Sequence, residues 1–422
     1  MKRKILFSSY LGSVLEFYDF TLYGVFLVKL SEVFFPGPHS TGSLFGSFFA
    51  FSAAFWTRPL GALLFGYIGD RLGRKKALTW SISLMAIPTF MIGILPGFEE
   101  IGYAAPLLLI LCRMVQGLCT GGEFNGSIIF TLEHFGPYKA GTISGLISSA
   151  SALGLLLATF VGAIAIAPYM PSWSWRIAFM LGAFIGSLGF YIRRYTQETD
   201  AYLSIQPVAK QTTPLIQIWQ QSKLPFSLSI LVGATNAALS YTLFGFLSLY
   251  LHRYVGVKIF EGVFYNIFGL GMLVLMSPVF GGLSDQITPR KSICLSSLLI
   301  LLISPVSFHL LQIGDFSSII VGQMILGTLV ASFVGPSHAF MQSLFPASSR
   351  YTGIAVGYSL GVAFAGGTTS MILLYLLEAT HSLNIPSLLL VCYAAVILSV
   401  LKWNQNAGAP YEEKELPSQW AA

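Results

Sequence analysis

Charged side chains inside long apolar segments are the residues of this chain that could do chemistry. Five stand in the first half: Glu16 and Asp19, three apart in one segment, and then Arg58, Arg113 and Glu123. An ionised group at mid-membrane costs about 2.5–3.5 kcal/mol even on the lenient insertion scale, so it persists only beside a partner or a water-filled cavity. Such a set could bind a charged solute and move a proton, or it could only pair internally and hold helices together.

The carboxyl groups are the candidates for proton coupling. The apolar segments of the second half carry no Asp, Glu, Lys or Arg away from their ends, so the choice falls on Glu16, Asp19 and Glu123. A nearby cation changes the affinity of a carboxyl group for a proton, and movement relative to Arg58 or Arg113 could therefore switch it. Asp19 is the first choice, because it lies near mid-helix on the same stripe as Glu16 and is expected to face a cavity. A static ion pair with either arginine is the alternative.

The arginine of the fourth apolar segment is the candidate for substrate binding. Arg113 lies about nine residues into its helix, roughly 14 Å along the axis, which is near mid-membrane. Its guanidinium matches a carboxylate in two parallel hydrogen bonds. Gln116 could assist, and Glu123 lies on broadly the same side. Three aromatic rings could cover the cationic end of a substrate, or could be ordinary packing: those of Tyr18, Trp56 and Tyr358.

The elements that must position these residues are membrane-spanning helices. Of 422 residues 55% are hydrophobic and 9% are charged, whereas soluble domains carry about 25% charged residues. The apolar stretches are continuous, which excludes a β-barrel because its strands alternate polar and apolar residues. The net charge of +6 does not predict a nucleic-acid partner, since the basic residues sit in short loops rather than on one face. The expected surroundings are a lipid bilayer.

Twelve apolar segments follow one another along the chain, six on each side of a polar stretch. The sequence therefore predicts an all-α integral membrane protein with two six-helix bundles. Most of the 23 Lys and Arg residues fall in loops on one side of the membrane, and the positive-inside rule makes that side cytoplasmic. The predicted divisions are an N-terminal bundle over 1–195, a cytoplasmic linker over 196–224, a C-terminal bundle over 225–402 and a cytoplasmic tail over 403–422.

Two similar loops reveal an internal repeat. GYIGDRLGRKK begins at Gly66 and GGLSDQITPRK begins at Gly281. Each loop places an aspartate, Asp70 or Asp285, four residues after its first glycine and at a helix end. Internal duplication of this kind is typical of secondary transporters, which bind substrate between the halves.

The first of these loops resembles the signature loop of the major facilitator superfamily. More narrowly, the chain resembles the metabolite:proton symporter family, and within it the proline/betaine porters. The likeness extends over about residues 8 to 400. The segments that carry it are LGSVLEFYDFTLYG from Leu11, EVFFPG from Glu32, RPLGALLFGYIGDRLGRKK from Arg58, LCRMVQGLCTGGEF from Leu111, WSWRIAFMLG from Trp173 and RYTGIAVGYSLGVAFAGGT from Arg350.

This resemblance implies a rocker-switch fold and proton-driven uptake of a small zwitterion or carboxylate, either a proline/betaine-like osmolyte or a di- or tricarboxylate. It further implies a bacterial inner membrane as the location, with both termini cytoplasmic. We expect the protein to function as a monomer, with small-molecule substrate and protons as its partners and with no cofactor or metal.

The resemblance also implies roles for the two loops. Asp70, followed by Arg71 and Arg74, is expected to face the start of helix 11 near Arg350 and to hold the cytoplasmic side closed. Asp285 is its expected counterpart against helix 5. Because the second loop has Gln286, Thr288 and Pro289 where the first has Arg71, Gly73 and Arg74, we expect the second closure to be the weaker one.

Other functions remain as alternatives. An uncoupled facilitator or an exporter would share the same architecture, because the direction of flux cannot be read from a sequence. An intramembrane enzyme is less well supported, since the six histidines are scattered and no Ser/His, His/Asp or metal-ligand spacing suits one site. A sensor without flux would need an output domain, and the sequence offers none.

Overall fold

The computed structural model of the chain is helical and describes residues 2–35, 40–165, 167, 170–193, 198, 223–346 and 349–403. Within these ranges lie twelve long helices, numbered in chain order: α1 Lys2–Val25, α2 Ser40–Arg71, α3 Arg74–Ile94, α4 Ala104–Phe135, α5 Ala140–Ala165, α6 Ser174–Arg193, α7 Lys223–Val255, α8 Ile259–Ile287, α9 Pro289–Ile313, α10 Phe316–Gln342, α11 Arg350–Thr380 and α12 Ile385–Trp403. The twelve-helix expectation is confirmed.

The helices are built for a lipid environment. Nine of those in the described part are long and apolar enough to cross a membrane, and α1 with its continuation Leu27–Phe34 makes a tenth. Large apolar side chains such as Leu84 and Phe184 are exposed on the outside of the bundle, where lipid tails rather than water would cover them. The predicted linker, apart from Glu198 and residues 223–224, and the tail after Trp403 lie outside the described residues.

Two helices in corresponding positions of the halves are irregular. The axis of α1 turns by 64° at Phe26 before it continues as Leu27–Phe34, so the first helix ends as a straight element at Val25 rather than near residue 30. In the second half, α7 contains π-helical turns at Tyr241–Phe246 and Leu251–Val255. Interrupted helices at equivalent places of a repeat are typical of transporter binding sites, and π-turns are frequent at functional sites.

Glycines of α4 let α2 approach it closely. A Cβ atom on Gly117 would overlap the Ala54 carbonyl, and one on Gly121 would overlap the Arg58 carbonyl. Helices in lipid gain no hydrophobic driving force from associating, so close van der Waals packing at small residues holds such crossings together. The same device joins α5 to α8, where Gly141 and Gly281 meet backbone to backbone.

Candidate functional site

A cavity of about 70 Å³ lies between helices of the first half and helices of the second. In the part of the chain that the structure describes, its lining has two charged side chains, Glu16 of α1 and Arg58 of α2. The remaining lining is mainly aromatic and neutral polar: Phe17, Phe20, Phe124, Tyr241, Phe244 and Tyr358, with Thr120, Asn125, Ser148, Ser151, Asn236, Ser240 and Ser359. A small solute with one positive and one negative end would find a partner for each.

Arg58 is held in the cavity wall by ring faces. Its Cζ lies 4.3 Å from the centre of the Phe20 ring and 4.9 Å from that of Phe55, and Tyr241 lines the same cavity. Its Nε and Nη2 have no hydrogen-bond partner among the described residues. These two donors are therefore available to an anionic ligand. Such a ligand would offset the cost of burying the cation.

A chain of hydrogen bonds connects Asp19 with Arg113 behind the cavity. Thr89 of α3 donates to Asp19 Oδ2 at 3.0 Å, and Gln116 Nε2 donates to Thr89 Oγ1 at 2.9 Å. Arg113 Nη1 then donates to Gln116 Oε1 at 2.9 Å. All four side chains are buried, and Asp19 Oδ1 has no hydrogen-bond partner in the described ranges. A proton gained or lost at Asp19 would therefore affect the hydrogen bonds that connect it with Arg113.

Arg113 lies away from the cavity lining, and its expected contact with the substrate carboxylate stays a prediction. It is not among the residues that line the cavity. Its guanidinium stacks 4.4 Å from the ring of Tyr23 and 4.9 Å from that of Phe20, while Nη1 bonds Gln116. Phe20 thus separates Arg113 from the cavity and supports Arg58 on the cavity side.

Asp19 and Glu16 were expected to face the cavity together on one stripe of α1, but they face different surroundings. Glu16 lines the cavity. Asp19 instead points into the first half, against Thr89 and towards Gly182 of α6. Residues three apart on a helix differ by about 60° around its axis, and this is enough to place them on opposite sides of an interface.

Three other predicted binding residues fall in two places. Tyr358 lines the cavity. Glu123 is fully buried and accepts a 2.5 Å hydrogen bond from Ser81 of α3, and the Tyr18 hydroxyl donates to the Ala178 carbonyl at 3.2 Å. These bonds give Glu123 and Tyr18 positions within the helix packing of the first half, outside the cavity lining.

Trp56 is a correction to the expected substrate set. Its side chain is 59% exposed and packs edge-on against Phe49, with ring centres 5.6 Å apart. Leu60 and Leu64 follow at four-residue steps and are equally exposed, so this stripe is the outer, lipid-facing side of α2. The neighbouring Arg58 faces inward because it lies two residues on, about 200° around the helix.

Asp70 joins α2 to the first turn of α11. Its Oδ2 accepts hydrogen bonds from the backbone N–H of Thr352 at 2.9 Å and from the Thr352 hydroxyl at 2.6 Å. A carboxylate at a helix N-terminus satisfies amides that have no partner in the helix and interacts favourably with the helix dipole. We refer to the end of the bundle that holds the loops 66–76 and 281–291 as the signature-loop end.

Further charges reinforce this bridge. Arg74 Nη1 lies 2.9 Å from Asp70 Oδ1, and Arg74 Nε lies 3.3 Å from Glu133 Oε2. Glu198 accepts hydrogen bonds from the backbone N–H groups of Arg74 and Lys75. Of the other predicted gating residues, Arg71 lies 5.6 Å from the ring of Tyr67, and Arg350 donates to the Phe345 carbonyl at 3.2 Å.

Asp285 makes the equivalent bridge between α8 and α5. Its Oδ1 accepts from Gly141 N at 2.6 Å, and its Oδ2 accepts from Thr142 N at 2.9 Å and from the Thr142 hydroxyl at 2.6 Å. The two aspartates of the repeat therefore bind the N-terminal turn of a helix in the opposite half. Pro289 stands where the first loop has Arg74, so this bridge has no arginine at that position.

Sequence reasoning missed the hydroxyl partners of these carboxylates. Thr89 links Asp19 to Gln116, while Thr142 and Thr352 receive the two repeat aspartates. A signal existed for the last two, because each threonine follows the start of its helix by two residues. No comparable signal marked Thr89, which lies 70 residues from its partner in the sequence.

Comparison with known proteins places this geometry in a family. The sequence profile described as Major Facilitator Superfamily matches residues 9–370, and the chain belongs to this superfamily. The proline/betaine transporter of Escherichia coli (strain K12) is 30% identical over 97% of this chain and 84% of its own length. A glycine betaine/proline/ectoine/pipecolic acid transporter of Dickeya dadantii is 29% identical over the same shares.

Solved structures agree with the fold. A proton:xylose symporter matches with a TM-score of 0.74 at 15% identity, covering 96% of this chain and 95% of its own. The human organic anion transporter MFSD10 matches with a TM-score of 0.71 at 16% identity, covering 95% and 99%. The chain is therefore a multi-pass membrane transporter of the major facilitator fold, and not an enzyme.

Proposed function

We propose that the protein is a proton-coupled symporter that takes up a small zwitterionic or carboxylate metabolite by alternating access. The observation that carries the proton step is the buried chain from Asp19 through Thr89 and Gln116 to Arg113. A carboxyl group that gains or loses a proton in this setting changes the charge balance of the whole first half. One proton that crosses a membrane potential of about 100 mV supplies about 2.3 kcal/mol for uphill transport.

The cavity lining supports a zwitterion over a di- or tricarboxylate. Arg58 offers donors for one carboxylate, whereas Glu16 would repel a second. The Dickeya dadantii relative is named for glycine betaine, proline, ectoine and pipecolic acid, all of them small solutes of this kind. We therefore assign the substrate carboxylate to Arg58, with Tyr358 in the wall beside it, and place Arg113 and Gln116 in the coupling chain.

The two aspartate bridges support a gating role at the signature-loop end. Asp70 and Asp285 each tie one half to a helix start of the other, so both bridges must open if that end is to open. Glu198 and the Arg74 cluster extend the first bridge. We propose that this end faces the cytoplasm of a bacterial inner membrane, with both termini on that side, two six-helix bundles over 1–195 and 225–402, and a monomer as the working unit.

The test is transport by purified protein in proteoliposomes with an imposed proton gradient. The assay would measure uptake of L-proline, glycine betaine, ectoine, 2-oxoglutarate and citrate. The wild type should concentrate at least one zwitterion. Asp19→Asn should abolish that accumulation and yet retain exchange of substrate at equal concentrations on both sides, because only the coupled proton step is removed.

A matched control and two contrary outcomes complete the test. Asp315→Asn changes an exposed aspartate that caps α10 and should accumulate substrate normally. If the wild type only equilibrates substrate, the uncoupled-facilitator alternative is correct. If Asp19→Asn still concentrates substrate against its gradient, then Asp19 does not carry the proton.

A further inference from the structure

Two residues of α10 that do not line the cavity are bonded to two amide side chains that do. Asn236 and Asn125 line the cavity, from α7 and α4 respectively. Ser337 contacts the first amide and His338 contacts the second. All four side chains are buried. An amide presents either an oxygen or an NH₂ group to a cavity, and its other bond decides which.

The hydrogen bonds of Ser337 fix the orientation of Asn236. The Ser337 hydroxyl has two possible acceptors, the Val334 carbonyl at 2.8 Å and His338 Nδ1 at 3.4 Å, and it donates its one proton to the nearer one, the carbonyl. The Ser337 oxygen therefore acts as an acceptor, and Asn236 Nδ2 donates to it at 3.4 Å. With the NH₂ group turned to α10, the Oδ1 atom of Asn236 is left as an acceptor for whatever occupies the cavity.

His338 fixes Asn125 in the opposite sense. Its Nε2 lies 3.1 Å from Asn125 Oδ1, and its ring is held by Phe124 and Tyr358, with ring centres 5.0 Å from each. In the neutral tautomer that carries its proton on Nε2, the imidazole donates to the Asn125 oxygen. The NH₂ group of Asn125 is thereby left to donate to an oxygen atom in the cavity.

We infer that Ser337 and His338 are positioning residues that give the cavity one acceptor and one donor amide, and so favour zwitterions whose cationic end carries N–H. This inference rests on the proposed function. Asn236 Oδ1 can accept a hydrogen bond from a secondary ammonium such as that of proline. A quaternary ammonium such as that of glycine betaine has no proton to give, so it gains nothing from that oxygen.

The experiment measures the apparent affinity of purified protein for L-proline and for glycine betaine, as the ratio of the two. Ser337→Ala frees the Asn236 amide to turn, and it should lower the affinity for proline by about tenfold while that for betaine changes little. Asn236→Leu should do the same directly. Ser332→Ala is the matched control, because Ser332 is buried in the same helix and likewise donates to a carbonyl three residues earlier.

The His338 arm has a different signature. His338→Leu should weaken both substrates to a similar degree, since both carry the carboxylate that Asn125 would contact, and it should leave their ratio unchanged. His338→Gln, which can still donate to Asn125, should restore the affinity in large part. A merely structural role for His338 would not be rescued by this substitution.

The outcomes separate the inference from the function on which it rests. A ratio in Ser337→Ala and Asn236→Leu equal to that of the wild type and Ser332→Ala overturns the inference and leaves the symporter intact. A wild type that binds neither proline, betaine nor another small zwitterion overturns the proposed function, and the inference fails with it. A selective loss of proline affinity in both variants supports the inference.

Discussion

The two halves of this transporter share a fold and an aspartate bridge to the opposite half, but they differ in the residues that they bury inside the membrane. The first half buries Glu16, Asp19, Arg58, Arg113 and Glu123. Across 223–346 and 349–403, the second half buries amides, hydroxyls and one histidine in the middle of its helices, without Asp, Glu, Lys or Arg there. Charges confined to one half can balance one another there. The neutral half can then move relative to the charged half without separating a charged residue from the opposite charge that balances it.

The repeat has therefore kept the aspartate bridge in both halves, whereas the charges buried inside the membrane are confined to the first half. The two loops still place Asp70 and Asp285 on helix starts of the opposite half with nearly equal hydrogen bonds. Each bridge joins one half to a helix start of the other, so both copies of the aspartate are in use. The proposed coupling needs one carboxylate, and a second would add a further desolvation cost.

The largest expected effect concerns the two arginines of the charged half. Arg58→Lys replaces a two-pronged donor by a point charge and should raise the substrate concentration for half-maximal uptake by about 30-fold or more, with two charge-assisted hydrogen bonds weakened. Arg113→Lys should mainly reduce accumulation, because Arg113 belongs to the chain from Asp19. Uptake kinetics with and without a proton gradient measure both. If the two variants exchange these behaviours, the carboxylate binds at Arg113 as the sequence alone suggested.

The next effect compares the two aspartate bridges. Asp70→Asn removes the charge that pairs with Arg74 as well as weakening the bond to Thr352, and should change the transport rate by about tenfold. Asp285→Asn only weakens the bonds to Gly141 and Thr142 and should change it about threefold. Accessibility of a cysteine probe near the signature-loop end should rise in the same order. Equal effects would remove the predicted difference in strength between the closures.

A smaller effect concerns two buried glutamines, Gln323 of α10 and Gln116 of α4. In the described part of the chain, neither polar atom of the Gln323 side chain has a hydrogen-bond partner, and an unsatisfied buried polar group costs about 1–3 kcal/mol. Gln323→Met should therefore raise the thermal stability of the purified protein and spare transport. Gln116→Met is the matched change in the charged half. It should lower stability and coupling, because Gln116 bonds both Arg113 and Thr89.

The smallest effect is at the turn that follows each repeat aspartate. Gly73 has φ 114°, and Thr288 occupies the same place in the second loop with φ 81°. A non-glycine residue held there costs about 1–3 kcal/mol, while the lost Thr288 cap on Lys291 N costs a few tenths. Thr288→Gly should stabilise the protein by about 1 kcal/mol in thermal unfolding, and Gly73→Thr should destabilise it. A loss of stability in Thr288→Gly would mean that the cap outweighs the strain.

The sequence alone determined the membrane class, the helix count, the repeat and the family. Each of these follows from local information: the composition of a segment, its length relative to a bilayer, or a motif of about ten residues. It also singled out Glu16 and Arg58, the two charged residues described in the cavity lining, because a charge inside an apolar segment is conspicuous without any structure.

Only the tertiary structure decided which way these residues face. It separated Glu16, in the cavity wall, from Asp19, in the interior of the first half, and it placed Arg58 rather than Arg113 at the cavity. It put Trp56 on the outside. These assignments depend on the rotation of each helix about its axis, where one residue means about 100°. That rotation is set by packing against helices distant in the sequence, such as the crossing of α2 and α4 at Gly117 and Gly121, and no local pattern records it.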